Sequence, residues 1–488
     1  MPARIYFEKK RIAKCLMILA ITALAMMATG GAGFAILIPF AFFSLIKNRP
    51  EDLFFYTFAI IAMIVCNAKV IPKDAIFFME QRITMMIFGV IMALRVAGMR
   101  KSPLLAPFMM VMPYIVFMTV SSCFGFCPFI SYLKLLLFVV VFLAYWGIAN
   151  VVSMHPRDNL IAIRSVILSI AIFFLIGSIF LLPFPGLSQM SEEEYLKNPN
   201  LNSLFMGLAN HSQCLGPMVS GLATILFADL LFGVRQPNKL YLVLLACCPV
   251  LIWKTSSRTA MGTFLSGLMF ASYFFMRARW VGRRWKGKVM GFLWVGGIAL
   301  FAAIACSSSA RLRTVQFIMK RGEMSAQADM NVSTIYSTRQ GLIDVSMANF
   351  KKKPLMGNGF QVREEMQYLK GTSFREMLSA PIEKGVWVTA VLEEGGVIGF
   401  SLSVMFLLGV LFALIKYKAY IAASTFFVFI VSNMGEFSFF SMSYLGGFMW
   451  TLVFAGVMLD SARAKAEVYA QQRQQMMLQQ QMMGMTPQ

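Results

Sequence analysis

Charged side chains are sparse in this chain, and a few stand where charge is costly. Lys254-Thr255-Ser256-Ser257-Arg258-Thr259-Ala260 follows an apolar run ending near Trp253 and leads into another. An arginine at such a rim can grip a phosphate through two parallel hydrogen bonds, whereas its bland role is to snorkel to the membrane surface. Ser337-Thr338-Arg339 brings a second guanidinium, just ahead of GLIDVSMANFKKKPLMGNGF. The stretch with Leu342, Ile343, Val345, Met347 and Phe350 predicts an amphipathic helix against the bundle or the membrane surface, and Pro354, Gly357 and Gly359 predict the turn that ends it. A helix so placed would hold Arg339 over the same anionic group as Arg258; the alternative is a solvated loop arginine.

Pro381-Ile382-Glu383-Lys384-Gly385 precedes the run VWVTAVLEEGGVIGF. A carboxylate at a partly desolvated rim has its pKa raised and can act as a general base, which makes Glu383 the external candidate. Glu394, next to Gly395-Gly396, lies inside the run and reads as structural, bonding backbone groups that the glycines open. Asn210-His211-Ser212-Gln213 is a polar cluster in an otherwise apolar span. His211 is one of two histidines, the other being His155 on a connection; a lone histidine in a span is more often a hydrogen-bonded interior residue than a catalyst. The eight cysteines show no metal-ligand spacing, so neither a metal nor a cofactor is expected. Cys123 and Cys127 flank a short turn where two free thiols are the default.

The elements that position these residues follow from composition. With 58% hydrophobic and 14% charged residues over 488 positions, the chain has too little polar surface to wrap a soluble core of its size. Apolar runs long enough to cross a bilayer recur, and stretches such as 135–152 are apolar on every face, which excludes a barrel with its short alternating segments. The expected fold is all-α, a polytopic transmembrane helical bundle of about 12 to 14 spans. Span centres fall near residues 21, 39, 61, 90, 112, 142, 172, 218, 246, 267, 298, 401, 426 and 450.

The even number puts both ends on one side. Arg4, Lys9, Lys10, Arg11 and Lys14, then Arg95, Arg100 and Lys101, and above all RARWVGRRWKGK mark the cytoplasmic connections, so both termini are predicted cytoplasmic. Residues 1–306 form an N-terminal bundle, 307–386 a large external loop with helices of its own, 387–460 the C-terminal spans, and 461–488 a cytoplasmic Gln/Met low-complexity tail. Part of the net charge of +22 is topological, but the loop adds Arg311, Arg313, Lys351, Lys352, Lys353 and others. A basic external loop over a membrane bundle suits an anionic ligand at the interface; nucleic acid is not expected there, and membrane lipid head groups are the bland partner.

The polar NHSQ span, the SSRTA segment, the loop with STR and FKKKPLMGNGF, and AVLEEGGVIGF occur in an order that resembles the O-antigen ligase and O-antigen polymerase superfamily of bacterial envelope glycosyltransferases. The likeness covers roughly residues 200–400. It implies a GT-C-type, metal-independent, inverting enzyme of the bacterial cytoplasmic membrane that takes a glycan from an undecaprenyl-pyrophosphate-linked oligosaccharide. The acceptor would be a glycan or lipid-linked glycan on the outer side. The family's two arginines map onto Arg258 and Arg339, which would bind the pyrophosphate and stabilise the leaving group, with Lys254, Arg311, Asn210, His211 and Lys384 as further contacts. Where ligases carry a histidine before the Glu-x-Gly span, this chain has Glu383-Lys384. That departure favours Glu383 as base, with Lys384 or His211 assisting, and a polymerase of O-antigen or exopolysaccharide, or a related ligase with another acceptor, over a lipopolysaccharide ligase. A transporter or flippase of lipid-linked oligosaccharide is the competing class, and a non-catalytic assembly scaffold a third. Against transport, the charge gathers at one face and one loop, without an evident internal repeat.

Overall fold

The computed structural model describes residues 7–47, 49–97, 102–154, 158–189, 205–233, 239–255, 257–277, 340–367, 384–441 and 444–482. The protein is an all-α polytopic membrane bundle. Among the described residues there is no strand, only the isolated bridges Cys66–Ala209 and Gln189–Phe205, and eight segments are long and apolar enough to cross a membrane.

The helices in chain order are α1 (Lys9–Thr29), α2 (Leu37–Ile46), α3 (Pro50–Val65), α4 (Ala75–Ala97), α5 (Val111–Cys123), α6 (Pro128–Met154) and α7 (Asp158–Ala171), which a π turn (Ile172–Ile176) carries on to Phe180. They continue with α8 (Ser212–Ala228), α9 (Lys239–Thr255), α10 (Arg258–Arg277), α11 (Gln340–Lys352), α12 (Trp387–Lys416), α13 (Tyr420–Ser432) and α14 (Tyr444–Met482). Every expected span centre from 21 to 267 and from 401 to 450 falls in a helix, but those near 61, 90, 246 and 426 fall in helices outside the eight long apolar segments and those near 21 and 39 share one; the centre near 298 lies outside the described residues. The segment 461–482, expected as a low-complexity tail, continues α14 as helix to Met482.

Lipid as solvent explains why few of these helices are amphipathic: their outer faces carry the same residue types as the core. Leu24, Leu94 and Phe412 point outward, while α8 and the first part of α14 are almost wholly buried and form the axis. Trp450 is enclosed there by Phe142, Phe429, Phe439 and Phe454. Small residues let α8 and α10 approach closely. A Cβ on Gly216 would fall 2.5 Å from that of Ala260, one on Gly267 would fall 2.3 Å from Thr224 Oγ1, and Ser220 Oγ donates to Ala260 O at 2.9 Å. The α1–α2 reversal needs glycine too: Gly30 has φ +68°, and a Cβ on Gly33 would meet the Ala25 carbonyl carbon at 2.4 Å.

Contacts sort the connections into two ends. At one, Glu8 N donates to Ser165 Oγ at 2.9 Å, Ala422 N to Asp460 Oδ2 at 2.9 Å and Ser461 Oγ to Ser153 O at 3.3 Å. The start of α1 and the Asp460 turn of α14 therefore share this end. At the other, Gly31 N donates to Asp74 Oδ2 at 3.0 Å, Asn67 N to Leu208 O at 2.7 Å, Phe126 N to Asn358 O at 2.9 Å and Trp387 N to Asn433 O at 3.0 Å. The described part of the long loop lies at this second end, called here the loop end.

Candidate functional site

The loop end is organised around a break in α12. Gly396 has φ 61° and ψ −163°, values no helix contains, so the carbonyls before it and the amides after it lose their helical partners. The turn after α11 supplies replacements. Asn358 N donates to Glu393 O at 2.9 Å and Gly359 N to Glu394 O at 3.0 Å, while Val397 N and Ile398 N donate to the carbonyls of Pro354 and Leu355 at 2.9 and 3.3 Å. Contact is so close that a Cβ on Gly357 would fall 2.4 Å from the Glu394 carbonyl carbon, and one on Gly396 2.3 Å from Leu355 O. PLMGN and EEGG are thus the two halves of one backbone joint. Glu394 is buried and structural as expected, but it pairs with Lys384, and a segment about forty residues upstream supplies the partners of the opened backbone.

Both carboxylates of the joint are fully buried and have other work. Glu393 Oε2 accepts from Ser346 Oγ at 2.9 Å and Glu393 Oε1 from Asn349 Nδ2 at 3.0 Å, which ties down the polar face of α11. Lys384 Nζ lies 3.4 Å from Glu393 Oε2 and 3.1 Å from Glu394 Oε1, and donates to Val362 O at 2.9 Å. Lys134, in the second turn of the apolar α6, donates to Gln361 O at 2.9 Å and fastens the same turn. Such buried charge is tolerated because Lys384, Glu393 and Glu394 are ion-paired, while Lys384, Lys134 and Glu393 are also hydrogen-bonded.

Beside this joint a second cluster gathers the rim residues. Arg258 is the first residue of α10 and is half-buried; Lys254, the penultimate residue of α9, is exposed. His211 is the N-cap of α8, where its Nδ1 accepts from Gln213 N at 3.0 Å, and Asn210 N donates to Val65 O at 2.8 Å with the side chain exposed. α8 and α10 start side by side, because Gly216 sits on Ser257 and Ala260. The α13–α14 connection covers the same place: a Cβ on Gly435 would fall 2.1 Å from Thr259 Oγ1. Lys384 belongs to the joint next door, since Gly385 O accepts from Phe437 N at 3.0 Å. Comparison with protein-family models and with curated proteins finds no match.

The structure therefore brings Arg258, His211, Asn210 and Lys254 to one end of the bundle, with Lys384 buried a short way off. Arg339, Arg311 and Glu383 lie outside the described residues, although Arg339 directly precedes Gln340 of α11 and Glu383 directly precedes Lys384. Both cysteines at the 124–127 turn carry free thiols.

Sequence reasoning passed over charges that the same criterion would have flagged. Lys134, Arg164, Asp229 and Asp460 all interrupt apolar runs. At the end shared by α1 and the Asp460 turn, Arg164 grips Asp229 with Nε at 2.9 Å and Nη2 at 2.8 Å, and Tyr241 Oη donates to Asp229 Oδ2 at 2.6 Å. A cleft of about 360 Å³ between α1 and α3, lined by Lys10, Arg11, Lys14, Arg49 and Asp52, also lies at that end, away from Arg258. At the loop end, Lys73 and Glu436 were missed; both stand in polar breaks between spans. Lys73 caps α3 by donating to the carbonyls of Ile64 and Cys66, and burial pushes its ammonium down to about 8. Asp74 beside it accepts from Phe77 N and Gly31 N, and those bonds hold its carboxyl below the ordinary range.

Proposed function

We propose that the protein is a membrane glycosyltransferase that polymerises a glycan, or transfers one from an undecaprenyl-pyrophosphate carrier to an acceptor sugar hydroxyl, in O-antigen or exopolysaccharide biosynthesis. The reaction is inverting and metal-independent, and takes place on the periplasmic side of the bacterial cytoplasmic membrane, with both termini cytoplasmic. The observation that carries this reading is the position of Arg258. It opens α10 at the end of the bundle where the α11 loop is locked onto α12, within a polar cluster that includes His211 and Lys254. A lipid-linked diphosphate presents its charge at that depth, where a guanidinium and the positive end of a helix dipole both favour an anion. Arg339, adjoining α11, supplies the second guanidinium, and together the two compensate the charge that develops on the departing diphosphate.

The buried charges support transfer over transport. Lys384 with Glu393 and Glu394, and Arg164 with Asp229, are close-packed pairs near opposite ends, rather than a line of charge along a central path. The test is the purified protein with a lipid-diphosphate oligosaccharide, scored for longer glycan and for transfer to a different acceptor. Arg258→Ala and Arg339→Ala are each expected to abolish product while the protein still reaches the membrane; undiminished polymer from both variants removes the basis of the reading.

A further inference from the structure

The half-buried carboxylate of Glu436 sits at the same rim as Arg258, on a connection that is unusually well held. Glu436 N donates to Ser432 O at 3.1 Å, Ser438 N to Asn433 Oδ1 at 2.7 Å and Asn433 Nδ2 to Phe429 O at 2.7 Å. Phe437 N is bound to Gly385 O, and Phe439 and Phe440 anchor the next turn by stacking on Phe429 and Tyr114. The backbone on which Glu436 rides is therefore fixed by α12, α13 and α5 together.

Its position is fixed by contacts on both sides. Gly435 touches Thr259, so Glu436 and Arg258 are the chain neighbours of two residues in van der Waals contact. Glu436 and Lys73 both lie within electrostatic reach of Cys214 in the first turn of α8. The carboxylate thus stands between the starts of α8 and α10. The titratable and charged groups on the surrounding elements are His211 and Cys214 from α8, Arg258 from α10, Lys73 from the α3–α4 connection and Lys384 from the segment before α12.

We infer that Glu436 is the proton acceptor of the transfer reaction, the carboxylate that deprotonates the attacking sugar hydroxyl beside Arg258. The inference rests on the transferase reading above and replaces Glu383 in that role. As the acceptor oxygen bonds to the anomeric carbon, the bond from that carbon to the diphosphate oxygen breaks and its electron pair leaves with the diphosphate. The hydroxyl proton passes to the Glu436 carboxylate, which releases it to water once the product has gone. A bound diphosphate adds negative charge beside the carboxylate, which makes it a stronger base when one is needed.

The test uses the full-length protein in nanodiscs with an undecaprenyl-diphosphate oligosaccharide, comparing wild type, Glu436→Gln, Glu436→Asp, Glu383→Gln and Arg258→Ala, each checked for unchanged thermal unfolding. Glu436→Gln is expected to lower kcat by about 100-fold or more, with KM little altered and the acidic limb of the pH–rate profile lost. Glu436→Asp, which keeps the base, is expected to recover part of the rate. Full turnover in Glu436→Gln alongside an inactive Arg258→Ala overturns the inference and leaves the transferase reading standing, as does loss of turnover in Glu383→Gln alone. A wild type that binds the donor and transfers nothing overturns both.

Discussion

Asn358 and Glu393 are joined twice at one carbonyl: the backbone amide of Asn358 donates to Glu393 O at 2.9 Å, and its Nδ2 donates to the same oxygen at 3.1 Å. Nδ2 also reaches Asn349 O at 2.9 Å, so one side chain ties together α11, the turn after it and the break in α12.

Replacing Asn358 with Ala takes the side-chain donor from Asn349 O and leaves Glu393 O with the backbone amide alone, at a cost of about 1–3 kcal/mol. The expected result is local rather than global: the 340–367 segment becomes sensitive to limited proteolysis while the helices melt at nearly the wild-type temperature. Cleavage at the wild-type rate would show that the joint does not depend on this residue.

Lys384→Met leaves two buried carboxylates facing each other without their common cation, and about 3–5 kcal/mol of stability should be lost. Adding Glu393→Gln and Glu394→Gln to the same chain removes the uncompensated charge and is expected to restore part of that loss. Fluorescence-detected size-exclusion chromatography after heating would rank the variants, and equal instability of the single and triple variants would speak against charge as the cause.

Lys73 lies in the connection between α3 and α4, and burial brings its pKa from the ordinary 10.5 to about 8. The folded chain therefore holds this proton less tightly than the unfolded chain, and unfolding between pH 8 and 10.5 takes one up. Stability should rise with pH across that window and carry no contribution from Lys73 to the slope below it. Thermal unfolding in detergent would show the slope in wild type and its absence in Lys73→Met; an identical slope in both would assign it to another group.

Much of the architecture was legible as a list of apolar runs. Hydrocarbon demands an uninterrupted length of apolar helix whatever its neighbours, so residues such as 212–233 or 387–416 declare themselves locally. Gly395-Gly396 and PLMGNGF were likewise visible as breaks, and α11 was expected from the spacing of its apolar residues. What that helix buries was not: Ser346 and Asn349 turn inward to Glu393, while Val345 is exposed. Lipid-facing and core-facing surfaces are equally apolar, so the pattern along a span does not say which face meets a neighbour.

The sequence alone determined the membrane bundle and the break between apolar runs at Arg258, because each follows from the local cost of putting charge or a broken backbone into hydrocarbon. Only the tertiary structure decided that Lys384 is committed to Glu393 and Glu394, that Arg164 finds Asp229 on another helix, and that Glu436 lies beside the start of α10. Those pairings depend on how helices far apart in the chain are rotated and stacked. Small residues such as Gly216 and Gly435 set that stacking through close approach, and no local pattern announces it.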